Sequence, residues 1–74
     1  TLAIQGGRKD KLRPGDIVGA LTGDVGLPAD VIGDITIKPR IAFVAITREH
    51  AQTAYRGIKD GTVKGRNFGV FYLR

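Results

Sequence analysis

The chain has 74 residues, with 12 lysines and arginines against 7 acidic residues, one histidine and no cysteine. A chain this short forms one domain and buries only about 60% of its unfolded surface. The lack of cysteine excludes a disulfide framework and a thiolate metal site, and no apolar run approaches the roughly 20 residues of a membrane-spanning helix. The net charge of +5 is segregated along the chain. Residues 6–13 carry Arg8, Lys9, Lys11 and Arg13 against Asp10, residues 14–37 carry four aspartates and no cation, and residues 38–74 carry eight cations against Glu49 and Asp60. Segregated charge of this kind favours one basic surface and an acidic back, a better pointer to a polyanionic partner than the total. With no secretory signal pattern and an opening at Thr1 already inside an alternating run, the chain reads as a cytoplasmic domain, 1–74, excised from something longer.

In chain order, "TLAIQ" alternates with period 2, Leu2 and Ile4 on one face and Ala3 on the other, and predicts a half-buried strand. "GGRKDKLR" is a basic connector that Gly6 and Gly7 are expected to leave exposed. Pro14 suits the first position of a helix, Ile17, Val18 and Leu21 follow at helical spacing, and Gly23 is expected to end it. Gly19 inside that helix costs about 1 kcal/mol against Ala and suggests close packing on a sheet. "GLPADVIG" reads as a turn or a single helical turn. "DITIKPR" alternates again, with Ile35 and Ile37 inward and Pro39-Arg40 as the turn. "IAFVAIT" is the strongest strand by composition. Thr47 can cap a second helix, whose Ala51, Ala54, Tyr55 and Ile58 form one apolar stripe. Gly61 closes it, and "NFGVFYL" supplies the last strand.

The order strand, helix, strand, strand, helix, strand predicts an α+β, ferredoxin-like βαββαβ fold, a four-stranded antiparallel sheet with both helices on one face. The other face stays open for function.

Catalytic readings find little to work with. The sequence holds no serine, and His50, the one histidine, falls at an exposed helix start, where a solvated residue is the ordinary outcome. The aspartates show no calcium or zinc spacing; Asp16, Asp30 and Asp34 fall near element starts, where negative charge suits a helix dipole or a turn. Gly23-Asp24-Val25-Gly26 satisfies the G-x-x-G of KH domains, yet it holds no cation and reads as a turn. Gly6-Gly7 is followed by no Gly-Lys-Ser/Thr and is not a P-loop. "IQGGRK" faintly resembles the phosphate-holding loop of acylphosphatases on this same fold, with Asn67 the only asparagine available for their catalytic one.

Nucleic-acid binding has more support. "PRIAFVAI" resembles a degenerate RNP1 motif of RNA-recognition (RRM) folds, whose open sheet face stacks bases while flanking cations hold phosphates. Alternation places Ala42, Val44 and Ile46 in the core and Ile41, Phe43 and Ala45 on the open face. Phe43 is then the main stacking candidate, joined by Phe71 if Val70 shares the inner face with Leu2. Phe43 in so strong a strand has core burial as its competing reading. With few aromatics, phosphate contacts are expected to dominate.

The segment "IQGGRKDKLRPGDIVGALTGD", with "IGDITI" and "TVKGRNFGV" further on, resembles the C-terminal RNA-binding domain of DbpA-type bacterial DEAD-box RNA helicases, from Ile4 to Arg74. That resemblance implies an RRM-like module, not itself an enzyme, with no cofactor or metal of its own; ATP and Mg would belong to a helicase core in cis. It implies that the module tethers this core to large-subunit ribosomal RNA, at a hairpin of the peptidyl-transferase region, during ribosome assembly. Gly6 and Gly7 would let the backbone approach RNA closely, and Arg8, Lys9, Lys11 and Arg13 would bind phosphates or base edges. Arg13 has the alternative of bracing the helix start against Asp16. Lys38, Arg40, Lys64 and Arg66 would extend the basic surface, with Phe43 and Phe71 stacking bases. Arg48, Arg56 and Lys59 read as a solvated helix face. A monomer is expected, since nothing resembles a dimer seam. A protein-docking domain on the same fold is the second reading and an acylphosphatase-like enzyme the third.

Overall fold

Four short alternating runs become β1 (Leu2–Ile4), β2 (Ile32–Ile37), β3 (Ala42–Ile46) and β4 (Val70–Tyr72), one antiparallel sheet of order β2-β3-β1-β4. This is a computed structural model, and it describes residues 1–73; Arg74, the end of the stretch carrying the family resemblance, lies outside them. The helices are α1 (Pro14–Gly19) and α2 (Arg48–Asp60). The fold is the expected α+β, RRM-like arrangement.

Register follows the side-chain alternation. Leu2 lies opposite Val44 and Tyr72, Ala3 opposite Phe43 and Phe71, and Ile4 opposite Ala42 and Val70. Leu2, Ile4, Ala42, Val44 and Ile46 pack with Ile17 and Leu21 of the first helical segment and Ala54 and Ile58 of α2 in one core. Both helices therefore cover the same face. In β2 the register shifts between Ile32 and Ile35, where Gly33 and Asp34 form a bulge. The single turn expected before it is a 3-10 turn at Ala29–Val31.

Two glycine expectations are corrected. The first helical segment does not stop at Gly23: after α1 it widens over Ala20–Asp24, where the Val25 N–H bonds the Ala20 carbonyl at 3.0 Å. Gly26 (φ 85°) provides the left-handed exit that a helix end favours. Nor does Gly19 mark close packing, because a Cβ there would meet nothing within 4 Å. The close contact lies on the other helix, where a Cβ on Gly57 would run into the Val25 side chain.

Local chemistry sets the ends of α2. Thr47 holds the expected N-cap position, but its hydroxyl makes no capping bond to a helix amide and lies 3.2 Å from His50 Nδ1, so the one histidine is engaged within the first turn. At the other end Gly61 N–H bonds the Gly57 carbonyl, and Asn67 Nδ2 donates to the carbonyls of Lys59 (3.0 Å) and Gly61 (2.8 Å). These two bonds use both amide hydrogens of the asparagine that the acylphosphatase reading needs. They also explain why β4 is shorter than expected: Asn67 closes the helix and Phe68 turns into the core, 6% exposed, before pairing begins at Val70.

The basic connector folds back on the sheet. Arg8–Asp10 is a 3-10 turn, and the amides of Arg8 and Lys9 donate to the carbonyls of Lys38 and Pro39, each at 3.0 Å. Gly6 and Gly7 are buried, while Arg8, Lys9, Lys11 and Arg13 are exposed as expected. A Cβ on Gly6 would lie 2.5 Å from the Phe68 ring, and one on Gly7 would collide with the Lys38 carbonyl oxygen and lie 2.8 Å from the Pro39 carbonyl carbon. Close approach is what these glycines permit, but the chain they approach is their own.

Substitution at three glycines separates these roles in urea denaturation. Gly19→Ala is expected to raise stability by about 0.5–1 kcal/mol, since helical backbone gains and no atom is displaced. Gly57→Ala is expected to lower it by about 1–3 kcal/mol through overpacking on Val25. Gly7→Ala is expected to lower it by a similar ~1–3 kcal/mol and to speed hydrogen exchange at the Arg8 and Lys9 amides. Unchanged exchange there would mean that the docking survives a Cβ.

Candidate nucleic-acid interface

Ile37, Ala42, Ile4 and Val70 form one row across the sheet. Beyond that row lie three connectors, residues 5–13, 38–41 and 61–69, so all leave the same end of the sheet. Their cations are Arg8, Lys9, Lys11 and Arg13; Lys38 and Arg40; and Lys64 and Arg66, all exposed. Segments more than 50 residues apart are thus brought to one basic end.

Side chains tie the last connector to the first. Val63 and Arg66 exchange backbone bonds of 2.8 and 3.1 Å around Lys64-Gly65, whose positive φ angles (55° and 75°) suit a tight hairpin turn. Lys64 Nζ donates to the Lys11 carbonyl at 2.9 Å and lies 3.9 Å from Asp16 Oδ2. Arg66 Nη2 donates to Asp10 Oδ1 at 3.3 Å, and its guanidinium lies 5.1 Å from the centre of the buried Phe68 ring. Arg13 does not brace Asp16 with its side chain; its backbone N–H donates to Asp16 Oδ2 at 3.0 Å. Among the described residues Arg8, Lys9, Lys11, Arg13, Lys38 and Arg40 have no acidic side chain within 4.0 Å, and their positive field faces solvent. The eight cations of the three connectors outnumber Asp10 and Asp16, so this end stays basic.

One row in from this end, Thr36, Phe43, Ala3 and Phe71 lie side by side. This row belongs to the open face, since its neighbours Leu2 and Ile4 point to the core. Ala3 is 0% exposed yet stands outside the core cluster. On a face with no helix, that burial requires the flanking rings to cover it. Phe43 is half-buried and Phe71 is 40% exposed. The two strands that carry them are about 10 Å apart across β1, twice the strand spacing. Val70 shares the inner face with Leu2, the condition on which Phe71 was expected to join Phe43.

Arg48, Arg56 and Lys59 lie on α2, exposed and on a separate element from the basic connectors. Tyr72, on the helix side of the edge strand, stacks on Tyr55 with centroids 4.7 Å apart and planes 13° apart, and Lys59 Nζ lies 5.6 Å from the Tyr55 ring centre. Tyr55 was legible as part of the α2 stripe; its stacking partner was not, because nothing in a run of seven residues tells which face of an edge strand a helix overhangs. The roles of Asp10 and Asn67 were missed too, as was the reach of Asp16 to Lys64; its place at a helix start was legible. The signal for the aspartates was present as two spacings of three, Gly7 to Asp10 and Arg13 to Asp16, each placing a carboxylate over a loop amide.

A family model described as the DbpA RNA binding domain matches residues 1–70. The chain is 43% identical over 74 residues to the ATP-dependent RNA helicase DbpA of Escherichia coli (strain K12), covering all of this chain and 16% of that protein. It is 36% identical over 69 residues to the ATP-dependent RNA helicase DbpA of Bacillus subtilis (strain 168), covering 93% of this chain and 14% of that protein. The matched segment thus spans only a small part of either relative, and within it lie the three basic connectors and the open-face row: the chain belongs to the DbpA RNA-binding domain family.

Proposed function

We propose that this domain is the RNA tether of an ATP-dependent DEAD-box RNA helicase. It holds a helicase core, carried in cis, to large-subunit ribosomal RNA at a hairpin of the peptidyl-transferase region during ribosome assembly in the bacterial cytoplasm. ATP and Mg serve that core; the tether acts without a cofactor and as a monomer, and the bond-breaking chemistry is not its own. The observation that carries this reading is the convergence of three basic connectors at one end of the sheet, one residue away from the row bearing Phe43 and Phe71. Lysines and arginines at that end suit the phosphates of a folded RNA, and their number gives salt-dependent affinity. The rings suit unpaired bases, which stack on any π-face.

Phe71, Tyr72 and Leu73 are the exposed large apolar residues of the described chain, and they favour a second reading in which this edge docks a protein. The two readings differ in salt dependence, steep for RNA and weak for an apolar dock.

Titration with the peptidyl-transferase hairpin and with a scrambled hairpin of equal length, at two salt concentrations, tests the tether. A preference that persists at the higher salt is expected; equal binding to both RNAs would reduce the domain to a generic basic surface. The double change Arg8→Glu/Lys9→Glu is expected to leave the fold intact by circular dichroism and to weaken hairpin binding by at least about tenfold, with a shallower salt slope. Phe43→Ala is expected to cost about 1–3 kcal/mol of base-dependent binding. A loss of stability with unaltered RNA affinity would instead leave the packing over Ala3 as the only role of Phe43.

A further inference from the structure

We propose that Asp10 and Asp16 are positioning residues of the RNA-binding surface: each ties the first basic connector to the 63–66 hairpin, so that two negative charges strengthen selective binding of a polyanion. This rests on the RNA-binding reading and adds to it the residues that shape the surface.

The two carboxylates repeat one arrangement. Asp10 Oδ2 accepts the Gly7 N–H at 3.0 Å, while its Oδ1 accepts from Arg66 at 3.3 Å. Asp16 Oδ2 accepts the Arg13 N–H at 3.0 Å and lies 3.9 Å from Lys64 Nζ. Each acid thus caps a turn of the connector and faces one cation of the hairpin. In both pairs the acid lies deeper than the base, 29% against 57% side-chain exposure for Asp10 and Arg66, and 27% against 45% for Asp16 and Lys64. Lys64 and Arg66 therefore keep much of their surface open to a further anion.

The hairpin itself supplies an independent observation. Lys11 and Lys64 are the only non-glycine residues with positive φ among those described, and they touch each other through Lys64 Nζ and the Lys11 carbonyl. The left-handed region is uncommon for a lysine; glycine and asparagine enter it more readily. A lysine at the hairpin tip gains something glycine could not, a donor that reaches the connector 53 residues away.

Charge counting and pre-organisation predict opposite signs here. Removing a carboxylate from a basic surface raises attraction for any RNA. Freeing the side chains it held means that binding must order them again, which costs affinity for an RNA of defined shape. Asparagine at position 10 or 16 keeps an oxygen for the loop amide but loses the charge that holds the cation.

The test uses the 74-residue chain with Asp10→Asn, Asp16→Asn and both, titrated with the peptidyl-transferase hairpin and its scrambled counterpart. Hairpin affinity is expected to fall about tenfold in the double variant, the loss from freeing Arg66 and loosening Lys64, which keeps its bond to the Lys11 carbonyl, while affinity for the scrambled RNA holds or rises. Hydrogen exchange without RNA is expected to speed at the Arg66 amide, which bonds the Val63 carbonyl. Equal gains on both RNAs, or unchanged exchange, would overturn the positioning role while leaving the tether intact. A wild-type chain with no hairpin preference would instead remove the selective-tether reading, and this proposal with it. Should the double variant fail to fold, the single changes carry the same comparison.

Discussion

Everything at the basic end depends on one backbone contact. The amides of Arg8 and Lys9 bond the carbonyls of Lys38 and Pro39, and they can do so only because residue 7 has no side chain. Cations gathered on one surface repel, so something other than their own interactions has to gather them. Backbone hydrogen bonds serve because they are indifferent to side-chain charge and are retained when salt screens the rest. The side-chain ties to Lys64 and Arg66 then build on a connector already in place. Remove the first contact and the charges of residues 8–13 have no fixed relation to those of residues 38 and 40.

The sheet separates its core face from its open face by the period of its strands. Leu2, Ile4, Ala42 and Val44 meet the helices, and Ala3, Phe43 and Phe71 meet the open side. A side chain can change on one side without a direct effect on the other. Ala3 is the exception that clarifies the rule. It is fully buried on the open face because its neighbours are large, so the two rings there have a packing role of their own.

How far this was legible in the sequence follows from the range of each interaction. Alternation is local, and the strands, their inner faces and both helices were recovered from it, including the faces of Phe43 and Phe71. Turn chemistry is local too, and Pro14, Thr47 and Gly61 fell where expected. The glycines were misread because a missing Cβ says only that something comes near, not what. Gly6 and Gly7 approach Phe68 and residues 38–40, Gly57 approaches Val25, and Gly19 approaches nothing. The ties between residues 10 and 66, or 11 and 64, span more than 50 positions and leave no periodic trace. The cations of the basic end were legible from composition; the ties of Asp10 and Asp16 to Arg66 and Lys64 were not, because a lone aspartate near a turn reads first as a local cap.

The strand order has a kinetic consequence. β1 is the first strand in the chain and occupies an interior position in the sheet, with β3 on one side and β4 on the other. During synthesis it emerges unpaired and stays so until Ala42–Ile46 has been made, and its second edge waits for Val70–Tyr72. Folding that hinges on pairing strands far apart in sequence must close a long loop first, which slows it and leaves an apolar strand exposed meanwhile. The three residues at the centre of this domain are thus its first to appear and among its last to be sheltered.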